Sequence, residues 1–181
     1  MKTRGGGWTA IQKRIDGSVS FERNWADYED GFGVPERDVW IGNEAIHQLT
    51  KGKNSSLYIS ITLVNGTTLY QLYNQFSISD EADKYQLFLA EPATGTLGDS
   101  MYKTRRSSAD LSGMAFSTPD RKNDRCGYDC ASYWRLGWWM NCCYDACLNG
   151  LWSVTGWSDP WYPLITSGTS VAGTMMLIRR H

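Results

Sequence analysis

Apolar and polar positions alternate most clearly between Leu57 and Val64, where Leu57, Ile59, Ile61 and Leu63 fall on one side and Tyr58, Ser60, Thr62 and Val64 on the other. A period of two marks a strand, and the Asn65-Gly66 pair that follows favours the positive backbone angles of a type I′ turn. Thr67 to Phe76 then returns as the partner strand of a hairpin. Two segments carry helical spacing instead. Phe21, Trp25 and Tyr28 stand four and three residues apart, which predicts a short amphipathic helix over 21–28 that ends near Gly31. Asn43 to Leu49 reads as a second helix, with Asn43 as its N-cap and His47 on its surface. From Glu91 onward glycines, serines and rings replace periodicity, apart from the stretch Thr174-Met175-Met176-Leu177-Ile178. Irregular backbone satisfies few of its own polar groups, so this half must lean on covalent links and side chains.

Composition sharpens that picture. At 181 residues the protein is long enough for one domain with a core of its own, and 13% aromatics with 18 glycines point to loops packed around rings. A net charge of -1 gives no broad attraction to nucleic acid or to anionic membranes. Lys103, Arg105 and Arg106 form a tight basic cluster, read as a solvated loop. No stretch approaches the roughly 20 apolar residues of a membrane span. The two histidines, His47 in a predicted helix and His181 at the terminus, allow no Ser/His/Asp or Cys/His grouping, so no enzyme is expected.

The densest chemistry lies between Cys130 and Gly150. This run of 21 residues holds four of the five cysteines and three of the nine tryptophans. The cysteines follow no paired Cys-x-x-Cys spacing of a metal site, which argues for disulfides and an extracellular setting. The opening Met1-Lys2-Thr3-Arg4 carries no apolar signal segment, as an expressed fragment of a secreted protein would not. Asn54-Ser55-Ser56 and Asn65-Gly66-Thr67 are N-glycosylation triplets and agree with secretion.

Seven collinear segments carry a family resemblance: Gly6 to Arg14, Asp16 to Phe21, the spaced set Trp25, Tyr28, Gly31, Phe32 and Gly33, Trp40 to Glu44, Glu81 to Tyr85, Phe116 to Thr118, and the cysteine-rich run. Together they resemble the fibrinogen C-terminal domain of fibrinogen chains, ficolins, tachylectins and angiopoietins. The resemblance implies an α+β fold, with a central twisted antiparallel sheet, short helices and a loop-rich C-terminal binding subdomain. It makes residues 1–181 a single domain without the family's N-terminal strand and first disulfide, and 91–181 its ligand-binding subdomain. A longer secreted protein with an oligomerising stalk upstream, and homo-oligomers through it, is then expected.

Residue by residue, the resemblance pairs Cys130 with Cys143 and makes the Cys142–Cys143 peptide bond cis, turning backbone amides toward a pocket. For the surplus cysteines the reading stays open. The positions 130 and 143 have the same sum as 126 and 147, which suits a second, nested bridge between Cys126 and Cys147 that leaves Cys142 free; alternatively Cys126 and Cys147 are buried thiols. The family's calcium set falls on Lys122 and Asp124 with carbonyls at Cys126 and Tyr128, so one carboxylate has become an ammonium and Ca2+ is disfavoured. Either Asp120 and Asp129 compensate, or Lys122 takes the vacant place and pairs with Asp124.

The resemblance sets the pocket at Trp134, Cys142, Cys143 and Tyr144, with Trp157 or Trp161 as a second wall and Asp159 as a polar partner. Tyr144 stands where the family usually has histidine, which favours a neutral ligand over a carboxylate. Trp138 and Trp139 read as packing. The function implied is a secreted lectin-like pattern-recognition domain of innate immunity, its partners acetylated glycans or microbial surface polysaccharides. The alternative is a protein-binding module, either a receptor ligand of the angiopoietin type or a hole for a peptide knob.

Overall fold

The computed structural model describes residues 7–102, 104, 106–151, 160–166 and 168–181. Strand β1 (Thr9–Arg14) leads to helix α1 (Trp25–Asp30), two short strands β2 (Phe32–Gly33) and β3 (Val39–Trp40), and helix α2 (Asn43–Thr50). Three long strands follow: β4 (Ser55–Leu63), β5 (Thr68–Ile78) and β6 (Leu87–Gly95). Strand β7 (Phe116–Ser117), helix α3 (Cys130–Trp134), strand β8 (Trp138–Trp139) and strand β9 (Val171–Arg180) complete the order. Seven strands join in one antiparallel sheet, β2-β3-β1-β9-β4-β5-β6, while β7 and β8 form a small second ladder. The expected α+β fold with a central antiparallel sheet is the one observed.

The β4–β5 hairpin confirms the alternation and revises its turn. Leu57, Ile59 and Ile61 are fully buried, and Thr62 pairs with Thr68 at the turn end of the ladder. Of the Asn-Gly pair only Gly66 has positive φ, at 85°, so the turn is not type I′. The Gly66 amide donates to the Leu63 carbonyl at 2.9 Å and the Leu63 amide to Thr67 at 2.8 Å, a three-residue loop with its left-handed residue last. Asn65 Oδ1 accepts the Thr67 amide at 2.9 Å, a side-chain turn contact that braces the loop while Gly66 takes the positive φ.

Both predicted helices form with shifted starts. α1 begins at Trp25, because Asn24 Oδ1 accepts the Asp27 amide at 2.8 Å and caps it there, leaving Phe21 outside; Gly31 ends it at φ 96°. α2 begins at Asn43, so Gly42 and not Asn43 holds the cap position, and its cap has no side-chain hydrogen bond. His47 is not a surface residue. It is 6% exposed, and its Nδ1 donates to the Ile78 carbonyl at 2.9 Å, pinning α2 to β5.

The centre of the core is aromatic. Trp25 stacks on Tyr85 with ring centroids 5.7 Å apart, Tyr28 meets Trp40 edge-on at 5.7 Å, and Phe116 meets Trp139 edge-on at 5.3 Å. The register Phe116↔Trp139 sets the β7–β8 ladder among these rings, so Trp138 and Trp139, both fully buried, are packing residues as expected. Polar edges of the rings are used: Trp40 Nε1 donates to the Tyr28 carbonyl at 3.1 Å, and Trp139 Nε1 to that of Tyr85 at 2.8 Å. Tyr28 donates to the Phe21 carbonyl at 2.7 Å and accepts the Gly137 amide at 3.2 Å.

Gly137 lies so close that a Cβ there would fall 2.4 Å from the Tyr28 ring, which is fully buried and cannot swing away. Gly127, by contrast, faces open space. Gly137→Ala is expected to cost about 2 kcal/mol of unfolding free energy through overpacking, and Gly127→Ala less than about 1 kcal/mol, as measured by urea titration.

Candidate binding site

Residues 122–130 are organised by one carboxylate. Asp124, whose side chain is wholly buried, accepts the Cys126 amide on Oδ1 at 2.9 Å and the Cys130 amide on Oδ2 at 3.2 Å. Asp129 then caps α3 by accepting the Ser132 amide at 2.9 Å, and Arg135 closes the helix in the left-handed conformation at φ 58°. This short helix sets Cys130 inward and carries Tyr133 and Trp134 to the outer side.

The bridges are Cys130–Cys143, as the resemblance implies, and Cys126–Cys142, which corrects the expected pair Cys126–Cys147. Equal sums assume that the two segments run antiparallel all the way to 147. The β8 strand instead ends at Trp139, so neighbouring residues 142 and 143 both turn onto the 126–130 loop while Cys147 passes on into the core. The separations of 16 and 13 residues suggest loop-closure stabilisation of about 3 kcal/mol for each bridge considered alone. Cys147 is a buried thiol beside Arg14 and Tyr28, and burial pushes its pKa up to about 12. The Cys142–Cys143 peptide bond is cis.

A pocket of about 240 Å³ opens on these bridges, lined by Arg106, Tyr128, Trp134, Cys142, Cys143, Tyr144 and Tyr162. Four of the expected site residues, Trp134, Cys142, Cys143 and Tyr144, therefore come together. Trp157 and Asp159 lie outside the described residues. Trp161 is fully buried and donates from Nε1 to the Gly98 carbonyl at 2.9 Å, so it packs and forms no wall.

Three lining residues are absent from the set expected for the pocket. Tyr128, expected to contribute only a carbonyl, places its hydroxyl 3.2 Å from Cys143 Sγ. Tyr162 comes from the short C-terminal loop, where the resemblance sets no register. Arg106 does not belong to a merely solvated loop: it pairs with the buried carboxylate of Asp145, and its guanidinium carbon lies 5.4 Å from the Tyr162 ring. Lys103 and Arg105 of that cluster lie outside the described residues.

Backbone and charge limit what the pocket can hold. The Cys142 amide donates to the Ser108 carbonyl at 2.8 Å and is thereby spent within the fold, so it does not serve as the ligand-facing amide that an acetyl-binding site would need. Asn141 Nδ2 reinforces the link by donating to the Ser107 and Asp110 carbonyls, each at 3.0 Å. Rings stand side by side along the remaining wall. Tyr128 and Tyr133 have centroids 5.8 Å apart, Tyr133 and Trp134 5.0 Å, and Trp134 and Tyr144 5.9 Å.

The calcium set of the resemblance is also resolved. Lys122 Nζ donates to Asp124 Oδ1 at 2.8 Å, to the Cys126 carbonyl at 3.0 Å and to the Asp124 carbonyl at 3.3 Å. Asp120 does not compensate, because its Oδ1 accepts the Trp25 amide at 2.9 Å and the Thr118 hydroxyl at 2.7 Å; Asp129 is occupied as the α3 cap. Among the described residues the one converging group of three Cys, His, Asp or Glu ligands is Cys126, Cys130 and Cys143, whose sulfurs are already covalently paired.

A mixed fold whose antiparallel sheet supports a doubly bridged, ring-lined loop region is the globular domain class of the fibrinogen chains. The family described as the C-terminal globular domain of the fibrinogen beta and gamma chains matches residues 1–180, and the protein belongs to it. It is 44% identical to human fibroleukin over 151 residues, 83% of this chain and 34% of that protein. It is 38% identical to pig angiopoietin-2 over 185 residues, 99% of this chain and 36% of that protein. It thus spans about a third of the length of these curated relatives. The fibrinogen-like globe domain of human ANGPTL6 superposes with a TM-score of 0.89 at 36% identity, over 98% of this chain and 80% of that one.

These relatives correct the expectation of a lectin. Fibroleukin, angiopoietin-2 and ANGPTL6 stand with the protein-binding alternative and not with pattern recognition of acetylated glycans or microbial surfaces in innate immunity. The physical reason is the Cys142 amide, already engaged by the Ser108 carbonyl. No helix among the described residues is long and apolar enough to cross a membrane.

The bridge assignment has a direct readout. Mass spectrometry after iodoacetamide is expected to show no label on the native protein, one in denaturant without reductant and five after reduction. Because the folded thiol stays protonated to about 12 while an unfolded one ionises near 9.0, Cys147 contributes stability that is lost as pH rises through that window. The label on native protein should accordingly stay absent at pH 9.

Proposed function

We propose that this domain is the extracellular protein-recognition unit of a secreted ligand of the angiopoietin type, acting by binding and without catalysis. The observation that carries the reading is the run of rings Tyr128, Tyr133, Trp134 and Tyr144 beside the bridged pocket, with Tyr128 at 52% and Tyr133 at 69% exposure. Rings left this open cost free energy in water, and tyrosine, tryptophan and arginine are the residues that anchor protein interfaces. The loop-rich part over 91–181 is, on this reading, the binding subdomain.

A pocket of about 240 Å³ is too small to be the whole footprint, since a stable interface covers about 800 Å² on each partner. It serves as one anchor within a wider contact face. A receptor surface suits it better than a peptide knob that enters with its positively charged N-terminus. Such an amine needs an available carboxylate; none lines the pocket among the described residues, and Asp145, next to the lining Tyr144, is buried and already engaged by Arg106. The two disulfides, and Asn65 of the second glycosylation triplet at an exposed hairpin tip, support an extracellular setting.

The reading is tested by interferometry against a panel of purified receptor ectodomains. At least one is expected to bind, and Trp134→Ala or Tyr133→Ala is expected to weaken that complex about tenfold or more while leaving the melting temperature within about 2 °C of wild type. Absence of any bound ectodomain, or full affinity in both variants, would sink it.

A further inference from the structure

The loop that carries both disulfide partners Cys126 and Cys130 is built around a point where a cation belongs. Asp124 has no exposed side-chain surface, and its carboxylate is approached by two backbone amides, whose dipoles offset only part of the negative charge. The Asp124 and Cys126 carbonyls turn toward the same point from the other side. A carboxylate and two carbonyls that converge form an oxygen cradle, the kind of ligand set hard cations take. Here the cradle surrounds Lys122 Nζ, which reaches all three oxygens at 2.8, 3.0 and 3.3 Å.

We infer that Lys122 is a built-in cation that replaces calcium in holding the 122–130 loop, and that the domain's fold and contact face are therefore insensitive to calcium. Three features carry the inference. The ammonium has three donors and the cradle offers three acceptors, so its valence is matched. Calcium needs six to eight oxygens and would have to displace a tethered positive charge that cannot diffuse away. The carboxylates that could enlarge the set are committed elsewhere, Asp120 to Trp25 and Thr118, and Asp129 to the α3 cap.

The consequence reaches the pocket. The Asp124 carboxylate receives the amides of Cys126 and Cys130, so whatever neutralises it sets the positions from which both bridges leave and hence the place of Cys142 and Cys143. A loop held by a soluble ion loosens when the ion is removed. One held by a side chain does not.

Thermal unfolding of the disulfide-intact domain in excess calcium chloride and in EGTA tests this, with isothermal calorimetry of calcium into the chelator-treated protein alongside. Wild type is expected to melt at the same temperature in both and to give no heat of calcium binding. Lys122→Met, which keeps the stem and removes the charge, is expected to melt lower by about 3 °C or more, equally in calcium and in EGTA. Lys122→Asp, which restores a second carboxylate, is expected to melt lower in EGTA and to recover in calcium. A wild-type midpoint that falls in EGTA, wild-type binding of calcium at micromolar concentration, or a Lys122→Met midpoint equal to wild type would each overturn the inference.

Discussion

The constraint on which the rest depends is the polar clamp that one strand applies to the irregular half of the molecule. Gln12, on β1, donates from Nε2 to the Leu148 carbonyl at 2.9 Å and to Asn149 Oδ1 at 3.3 Å; Arg14 donates to the Gly150 carbonyl at 3.0 Å. Both side chains are buried, so water cannot substitute for them. Arg14 in turn rests on Phe21 at 3.9 Å and pairs with the buried Asp38, and desolvation lowers its pKa against that pairing. The ion pair is retained because Asp38 also accepts the Ile15 and Asp16 amides. Removing Asp38 would leave a buried charge uncompensated and take their acceptor from the Ile15 and Asp16 amides.

From that clamp the site is assembled in steps. Asn149 passes the link onward by donating to the Gly137 carbonyl at 3.0 Å, and the Gly137 amide meets the Tyr28 hydroxyl, so the loop-rich half is tied to the sheet and to the aromatic core at once. β8 leaves this anchored point and delivers Cys142 and Cys143 to the 126–130 loop. The two bridges then make a rigid floor, on which Tyr128, Trp134 and Tyr144 stand. If these rings form the proposed contact face, it needs little ordering on binding, which is where rigid rings gain over flexible side chains.

Legibility in the sequence follows the range of the interactions. The hairpin is readable because alternation and an Asn-Gly pair are local, and even there pattern alone does not place the Asn65 side chain that braces the turn. The burial of His47 escapes a local reading because it depends on a carbonyl 31 residues away on β5. The pocket's walls at Trp134 and Tyr144 are legible through resemblance in a contiguous run. Arg106 is not, since its partner Asp145 lies 39 residues on and only the fold brings them together. The surplus cysteines show the limit most plainly: a symmetric spacing rule assumes a continuous ladder, and the backbone turns away before it reaches Cys147.

Two of the charges near the contact region are spent internally. Arg106 closes on Asp145 and Lys122 on Asp124, and both carboxylates are buried, so each cation is held against a fixed anion and its field at the surface is reduced. On the proposed reading, a partner approaching the bridged pocket meets rings and sulfur together with the Arg106 guanidinium, 60% exposed but paired with Asp145. Interfaces of that composition owe their affinity to slow dissociation from well-packed rings and little to electrostatic steering. The replacement of an expected anionic ligand by Lys122 and of the expected histidine by Tyr144 then have a common physical effect. Each removes a dependence on solution conditions, the first on a divalent ion and the second on pH.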